Sequence, residues 1–148
     1  MNVIDLMTEK PVTIRSDDNL KNAIEAMKRL GVHHLPVVGS NSHVVGIISD
    51  RDCRMALNSP FVMRERWQDE ELANTLRVGS FMTPAPIVVE PDTPAEEAVR
   101  LMLANNIGCL PVMRAETLVG IITRSDVLLG FITLHQHVFN KRGHQTSA

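Results

Sequence analysis

The sequence predicts a mixed α/β fold, α+β in its arrangement, made of two tandem β-α-β-β-α units. Three observations carry that prediction. Short motifs recur in the same order at a nearly constant spacing, and segments with helical apolar spacing alternate with short β-branched runs. The 148 residues are also 44% hydrophobic with four Phe, one Trp and no Tyr. A chain of this length can bury a substantial interior, and here it must be built from Val, Ile, Leu and Met.

The repeat sets the organisation. Met7-Thr8 matches Met82-Thr83 and Leu35-Pro36-Val37 matches Leu110-Pro111-Val112, both at an offset of 75, whereas Gly46 and Gly120 are 74 apart. One residue has therefore been lost between those motifs, and the matched stretches cover 7–57 and 82–134. We divide the chain into a first repeat at 1–58, a polar and partly helical connector at 59–77, a second repeat at 78–135 and a flexible C-terminal tail at 136–148.

Each unit opens with a short predicted strand, Pro11-Val12-Thr13-Ile14 and Pro86-Ile87-Val88-Val89. A helix follows, for which Asp18 is the expected N-cap in the first repeat. In the second, Thr93 is the expected cap, with Pro94 at the first helical position and Glu96 completing a capping box. Leu20, Ala23, Ile24, Met27 and Leu30, matched by Ala95, Ala98, Val99 and Met102, form the inward face. Gly31 and Asn106 then align, and both residue types tolerate the left-handed backbone of a helix C-terminal cap. Two apolar strands come next. In the first repeat they are Leu35-Pro36-Val37-Val38 and Val44-Val45-Gly46-Ile47-Ile48, joined by a Gly-Ser-Asn-Ser turn. The second is apolar almost throughout, which implies cover on both faces. A second helix is expected to open near Asp50 and near Arg124.

Composition excludes several classes of function. A formal charge of −2 with interspersed signs leaves no basic stripe, and aromatic platforms for bases are scarce, so nucleic acid is not an expected partner. The N-terminus lacks the basic and apolar regions of a signal peptide, and no apolar run approaches a membrane span. Cys53 and Cys109 stand at unrelated repeat positions and suggest no disulfide framework. A cytoplasmic protein with no membrane contact is expected. Cys109 reads as a small apolar residue, Met27 and Met102 as core, and Trp67 as a connector anchor or a partner-facing residue. His135, His137 and His144 give no fixed metal-ligand geometry, so no metal site is expected.

The most distinctive stretch is G-I-I-S-D-R-D at 46–52, repeated as G-I-I-T-R-S-D at 120–126. In both, a hydroxyl residue, Ser49 or Thr123, ends an apolar strand and a carboxylate, Asp52 or Asp126, follows three positions later. Taken alone, that pattern is a helix-start signature.

Taken together, M-T-x-x-P, H-H-L-P-V-V or G-C-L-P-V-M, and G-I-I-[S/T]-x-x-D in two tandem copies resemble a pair of CBS domains, a Bateman module. The resemblance spans the chain apart from connector and tail. It implies pseudo-twofold packing of the two units, a further disc-like homodimer, and composite clefts for adenosine-containing ligands such as AMP, ADP, ATP or S-adenosylmethionine. Carried over residue by residue, one cleft joins Thr13, Val32, His33 and His34 to Thr123 and Asp126. The other joins Val88, Ile107 and Gly108 to Ser49, Arg51 and Asp52.

The chemistry suits the resemblance. A ribose presents two vicinal hydroxyls, and one ionised carboxylate can accept from both, the role expected of Asp52 and Asp126. Ser49 and Thr123 stand at a helix start, where a phosphate is favoured. His33 and His34 can face phosphates, while Gly108-Cys109 cannot, so the cleft with His33 is expected to prefer the more phosphorylated ligand; Arg51 compensates partly in the other. Gly46 and Gly120 allow close approach of a ligand or a neighbouring strand.

The sequence thus points to a non-catalytic regulatory module that binds an adenosyl small molecule and signals in trans to an unknown protein target. The alternative is a structural dimerisation or scaffold module with no ligand. A nucleotide hydrolase is disfavoured, because no nucleophile is paired with a base and there is no Walker-type loop.

Overall fold

The computed structural model of the chain describes residues 1–58 and 66–143. In chain order the elements are a 3-10 turn (Val3–Asp5), β1 (Thr8–Glu9), β2 (Ile14–Arg15), α1 (Leu20–Leu30), β3 (His34–Val38), β4 (Val44–Ser49) and α2 (Asp50–Leu57). They continue as α3 (Arg66–Thr75), α4 (Val78–Phe81), β5 (Thr83–Pro84), α5 (Ala95–Asn105), β6 (Cys109–Arg114), β7 (Thr117–Thr123) and α6 (Arg124–Gly143). The fold is mixed α and β, with two sheets among the described residues.

The chain divides into two compact units. One is Pro11–Ile87 with Ala115–Leu118; the other is Met1–Lys10, Val88–Arg114 and Val119–Ala148. The first contains the sheet β2-β3-β4-β5, in which β2 runs parallel to β3 with Ile14 opposite Val37, and β3 and β4 form an antiparallel hairpin. Its core joins Ile14, Leu20, Ala23, Met27, Leu35, Val37, Ile48, Cys53 and Val78. The second contains the sheet β1-β7-β6 and a parallel bridge between Val89 and Val112, the counterpart of the β2–β3 pairing. Its core joins Val3, Val89, Ala98, Met102, Leu110, Val112 and Ile122.

The Met-Thr motif explains why these units cut the chain differently from the repeat. β1, which precedes the first repeat's helices, pairs with β7 of the second repeat, Thr8 opposite Ile121. β5, which opens the second repeat, pairs with β4 of the first, Thr83 opposite Ile47. Each Met-Thr segment is thus an edge strand for the other repeat's hairpin.

Gly31 and Asn106 take the left-handed conformation, with φ of 65° and 50°, at the ends of α1 and α5. Each N–H returns to the last helical turn, as the aligned pair predicts. The expected N-caps are corrected. Asn19 caps α1 by accepting from the Asn22 N–H, while Asp18 accepts from the Arg15 N–H one turn earlier. Pro94 occupies the N-cap of α5 and makes no side-chain cap bond; Thr93 instead accepts from the Glu90 N–H, and Glu96 pairs with Arg100. The predicted first strands also shrink, to Ile14–Arg15 and to the single bridge at Val89. Lys10 and Ala85, just before Pro11 and Pro86, both have positive φ, and each proline lacks an N–H, so neither segment enters the ladder at its predicted start.

Leu20, Ala23 and Met27, and Ala95, Ala98 and Met102, are buried, whereas Leu30 is exposed. Helix α3 gives the connector its helical part; Glu65 and the side chains of Trp67, Asp69 and Glu70 lie outside the described residues. The largest departure is at the C-terminus, where α6 runs unbroken to Gly143 through the segment expected to fray. His144 lies outside the described residues. No described helix is long and apolar enough to cross a membrane.

Candidate functional site: two strand-to-helix turns

The two [S/T]-x-x-D segments each sit where a buried strand meets a helix. In the first, Ser49 ends β4 with extended backbone and caps α2: its Oγ accepts from the Asp52 N–H at 3.1 Å, and Asp52 Oδ2 accepts from the Ser49 N–H at 2.8 Å. In the second, Asp126 Oδ2 accepts from the Thr123 N–H at 2.9 Å and from its hydroxyl at 3.0 Å, and Thr123 Oγ1 accepts from the Asp126 N–H at 3.2 Å. Both carboxylates are half-buried. The helix-start reading of the motif is therefore realised in both turns. One oxygen of each carboxylate, Oδ2, does this work, which leaves the other lone pairs available for a ribose without breaking the cap.

A second bond ties each turn to the strip before its hairpin. The Asp50 N–H donates to the His33 carbonyl and the Arg124 N–H to the Gly108 carbonyl, both at 3.0 Å. The first backbone N–H of each helix start is therefore spent on the fold in both repeats. The strip and the turn of one repeat are consequently joined through the backbone, with His34 directly opposite Ser49 in the β3–β4 ladder.

The side chains at positions 50 and 124 differ in sign, a feature visible once the repeats are aligned but not drawn from the sequence. Asp50 Oδ2 lies 3.2 Å from His33 Nδ1 and 3.2 Å from an Arg54 guanidinium nitrogen. Burial pushes the Asp50 carboxyl upward, but the His33 hydrogen bond, the Arg54 charge and the Arg51 N–H outweigh it and hold the group below the usual carboxylate range. Arg124 instead reaches the side-chain oxygen of Asn106 at 3.4 Å. His33 is thus already engaged by a carboxylate, although its ring remains largely exposed.

The other expected site residues fall as follows. Thr13, Val32, His33 and Arg51 are exposed, and His34, Ser49 and Asp52 half-buried, in the unit that holds β4. Val88 is exposed and Ile107, Gly108, Thr123 and Asp126 are half-buried in the unit that holds β7. Apolar Val32 and Val88 at 38% and 46% exposure are the kind of surface a purine ring covers. Within each unit the fold brings the strip and its own turn together; the two expected groupings each draw on both units. Gly46 and Gly120 serve a neighbouring strand, since Met82 and Thr83 cover the first and Met7 and Thr8 the second.

Two tandem β-α-β-β-α repeats with a capped hydroxyl–carboxylate turn at each second-helix start define a class, the paired regulatory domains that the sequence resembles. The CBS domain family model matches residues 3–59 and 78–133, and the chain belongs to the CBS domain family as a tandem pair. It is 37% identical over 127 residues to a CBS domain-containing protein of Dictyostelium discoideum, covering 85% of this chain and 88% of that protein. Among solved structures it is similar to CBSX2 in complex with AMP, at a TM-score of 0.74 and 31% identity, covering 89% of this chain and 97% of that one; CBSX2 is a protein of Arabidopsis thaliana. It is also similar to the CBS domain pair of protein MJ0100 in complex with 5′-methylthioadenosine and S-adenosyl-L-methionine. There the TM-score is 0.75 at 26% identity, covering 88% of this chain and 95% of that one.

Proposed function

We propose that this protein is a non-catalytic regulatory module that binds an adenosine-containing ligand (AMP, ADP, ATP or S-adenosylmethionine) and passes the bound state to a partner protein. The observation that carries the reading is the duplicated turn. Each repeat holds a half-buried carboxylate three residues after a hydroxyl, fixed through Oδ2 and with a second oxygen to offer. The similarity to pairs whose solved complexes contain AMP, or methylthioadenosine with S-adenosylmethionine, supports the ligand class.

In this reading Asp52 and Asp126 accept from ribose hydroxyls, and Ser49 and Thr123 help orient the sugar and its phosphate. Val32, Val88 and Ile107 cover the purine. Thr13, His33, His34, Arg51 and Gly108 complete the proposed set of ligand contacts. Signalling follows from differential affinity, with ligand favouring one arrangement of a homodimer over another. Cys53 and Cys109 are both buried and not joined in a disulfide, which fits a reducing cytoplasmic setting.

The capping bonds favour one competing reading, a scaffold module, because they explain both carboxylates without any ligand. Isothermal titration and thermal shift with AMP, ADP, ATP and S-adenosylmethionine separate the two. A saturable response to at least one compound, weakened in Asp126→Ala, is expected. Silence from all four compounds, in wild type and Asp126→Ala alike, leaves the scaffold.

A further inference from the structure

We propose that the residue after each capping hydroxyl, Asp50 in the first turn and Arg124 in the second, sorts adenosyl ligands by charge. The Arg124 turn takes a phosphorylated nucleotide, and the Asp50 turn takes an adenosyl compound without phosphate. The proposal deepens the functional reading above and rests on it for the ribose contact at both turns.

The two positions are equivalent in the fold. Each is the first residue of a helix, and each gives its N–H to the strip before its hairpin, Asp50 to the His33 carbonyl and Arg124 to the Gly108 carbonyl. Each turn also has a hydroxyl and a carboxylate in reciprocal capping bonds, so those groups cannot discriminate between ligands. The side chains at 50 and 124 can.

Around Asp50 the nearby cationic groups are already engaged. Its half-buried carboxylate takes His33 Nδ1 and an Arg54 guanidinium nitrogen, each at 3.2 Å. Arg51 stands between Asp50 and Asp52, and the formal charge over residues 49–52 is −1. A phosphate brought to this turn meets a carboxylate, and like charges placed together disfavour binding. A ligand with an uncharged 5′ substituent meets no such penalty.

Around Arg124 the same corner carries the opposite sign. Asn106 and Gly108 stand where the first repeat has Gly31 and His33, and the guanidinium reaches the Asn106 side-chain oxygen at 3.4 Å. That oxygen is neutral, and among the described residues no carboxylate pairs with Arg124. The positions equivalent to Arg51 and Arg54 are Ser125 and Leu128, and the formal charge over residues 123–126 is 0.

Helix stability does not account for this arginine. A cation at a helix start opposes the macrodipole, whereas Asp50 at the equivalent position complements it. A residue that breaks a local rule without a structural return is expected at a functional site, and an anion beside Arg124 removes the conflict. The guanidinium is exposed and can hold a phosphate through two parallel N–H bonds. The sequence assigns the positive charge to His33; the structure engages His33 with Asp50 and leaves that role to Arg124.

Isothermal titration of the full chain with AMP and 5′-methylthioadenosine tests the division, with thermal melts to verify the fold of each variant. Asp52→Ala leaves the ribose contact of the second turn, and Asp126→Ala leaves that of the first. We expect Asp52→Ala to prefer AMP by about tenfold or more and to lose the preference when Arg124→Gln is added, because bonds to charged groups are the strong ones. We expect Asp126→Ala to prefer 5′-methylthioadenosine, with the gap narrowed by Asp50→Asn. Arg124→Gln alone, at an exposed position, gives the same reading in an otherwise intact chain: AMP affinity should fall about tenfold or more relative to 5′-methylthioadenosine. An AMP preference that survives Arg124→Gln, or one that is equal in the two single-turn variants, overturns the division while leaving adenosyl binding in place. A wild-type chain that binds neither compound removes the functional reading and the division with it.

Discussion

Met82 covers Gly46 so closely that a Cβ on the glycine would stand 2.5 Å from the methionine sulfur and 2.8 Å from the Thr83 carbonyl oxygen. Met7 and Thr8 stand over Gly120 in the same way, at 2.6 Å and 3.0 Å. The methionine can swing aside; the carbonyl cannot, because it belongs to the edge-strand pairing beside the glycine. Gly46→Ala and Gly120→Ala should therefore each lower stability by about 1–3 kcal/mol, the usual cost of overpacking. Urea unfolding gives the value. An unchanged midpoint for both would mean that the edge strands are not held as described.

This relationship also marks where sequence reasoning stopped. Met-Thr and the glycine were both recognised as repeated, and both helices' left-handed caps at Gly31 and Asn106 were legible because only a few residue types take that conformation cheaply. That Met82 belongs over Gly46 was not legible, since pairing across the sequence carries no local pattern. The caps at α1 and α5 were misread because Asp18, Asn19 and Thr93 are all good cap residues, and the choice depends on where the preceding turn ends. The chemistry of the site was half visible. Asp52 and Asp126 stood out by spacing, but the engagement of His33 by Asp50 joins residues seventeen positions apart through a hairpin. The helical course of 136–143 was missed because its apolar residues face outward, and outward apolar residues have no core pattern to reveal them.

Asp126 does two jobs in the proposed function, and they can be separated. Asp126→Asn keeps an oxygen to accept from the Thr123 N–H and loses only the charge, whereas Asp126→Ala loses the cap as well. Thermal melts of the free protein should show Asp126→Ala less stable by about 1 kcal/mol and Asp126→Asn close to wild type. Ligand affinity should fall in both, by about tenfold or more, because bonds to a charged acceptor are worth roughly 1.5–3 kcal/mol. An asparagine variant that binds AMP as well as wild type would remove the carboxylate–ribose contact.

Acid should loosen the first repeat's turn through Asp50. The Asp50 carboxyl is held low in the folded protein, so its contribution is complete above its unfolded value near 3.8 and is lost as pH falls through the lower folded value. The effect is small, below about 1 kcal/mol, because the pair with His33 and Arg54 is open to solvent and screened by salt. Urea midpoints measured from pH 6 down to pH 3 (about the carboxylate range) should fall more gently in Asp50→Asn than in wild type. Equal slopes would indicate that the triad contributes nothing to folding.

Base should act through a different group. Cys53 lies on the buried face of α2, in the core, and its burial pushes the thiol up to about 11, with the nearby Asp52 and Asp50 charges adding to the shift. In the unfolded chain the thiol titrates near 9.0, so between that value and about 11 the unfolded state loses the proton first. Stability from the neutral buried thiol is therefore full below pH 9 and is lost as pH rises through the folded value, with a limiting slope of about 1.4 kcal/mol per pH unit. Cys53→Ala should lower stability at neutral pH by leaving a cavity, yet show a shallower decline across that alkaline window. The comparison rests on the slopes, which the cavity does not change. In the same range Cys53 should resist thiol reagents in the native protein and react once urea unfolds it. Rapid labelling of Cys53 in the folded chain at pH 8 (about one unit below its unfolded value) would place the thiol outside the core and remove the basis of the alkaline prediction.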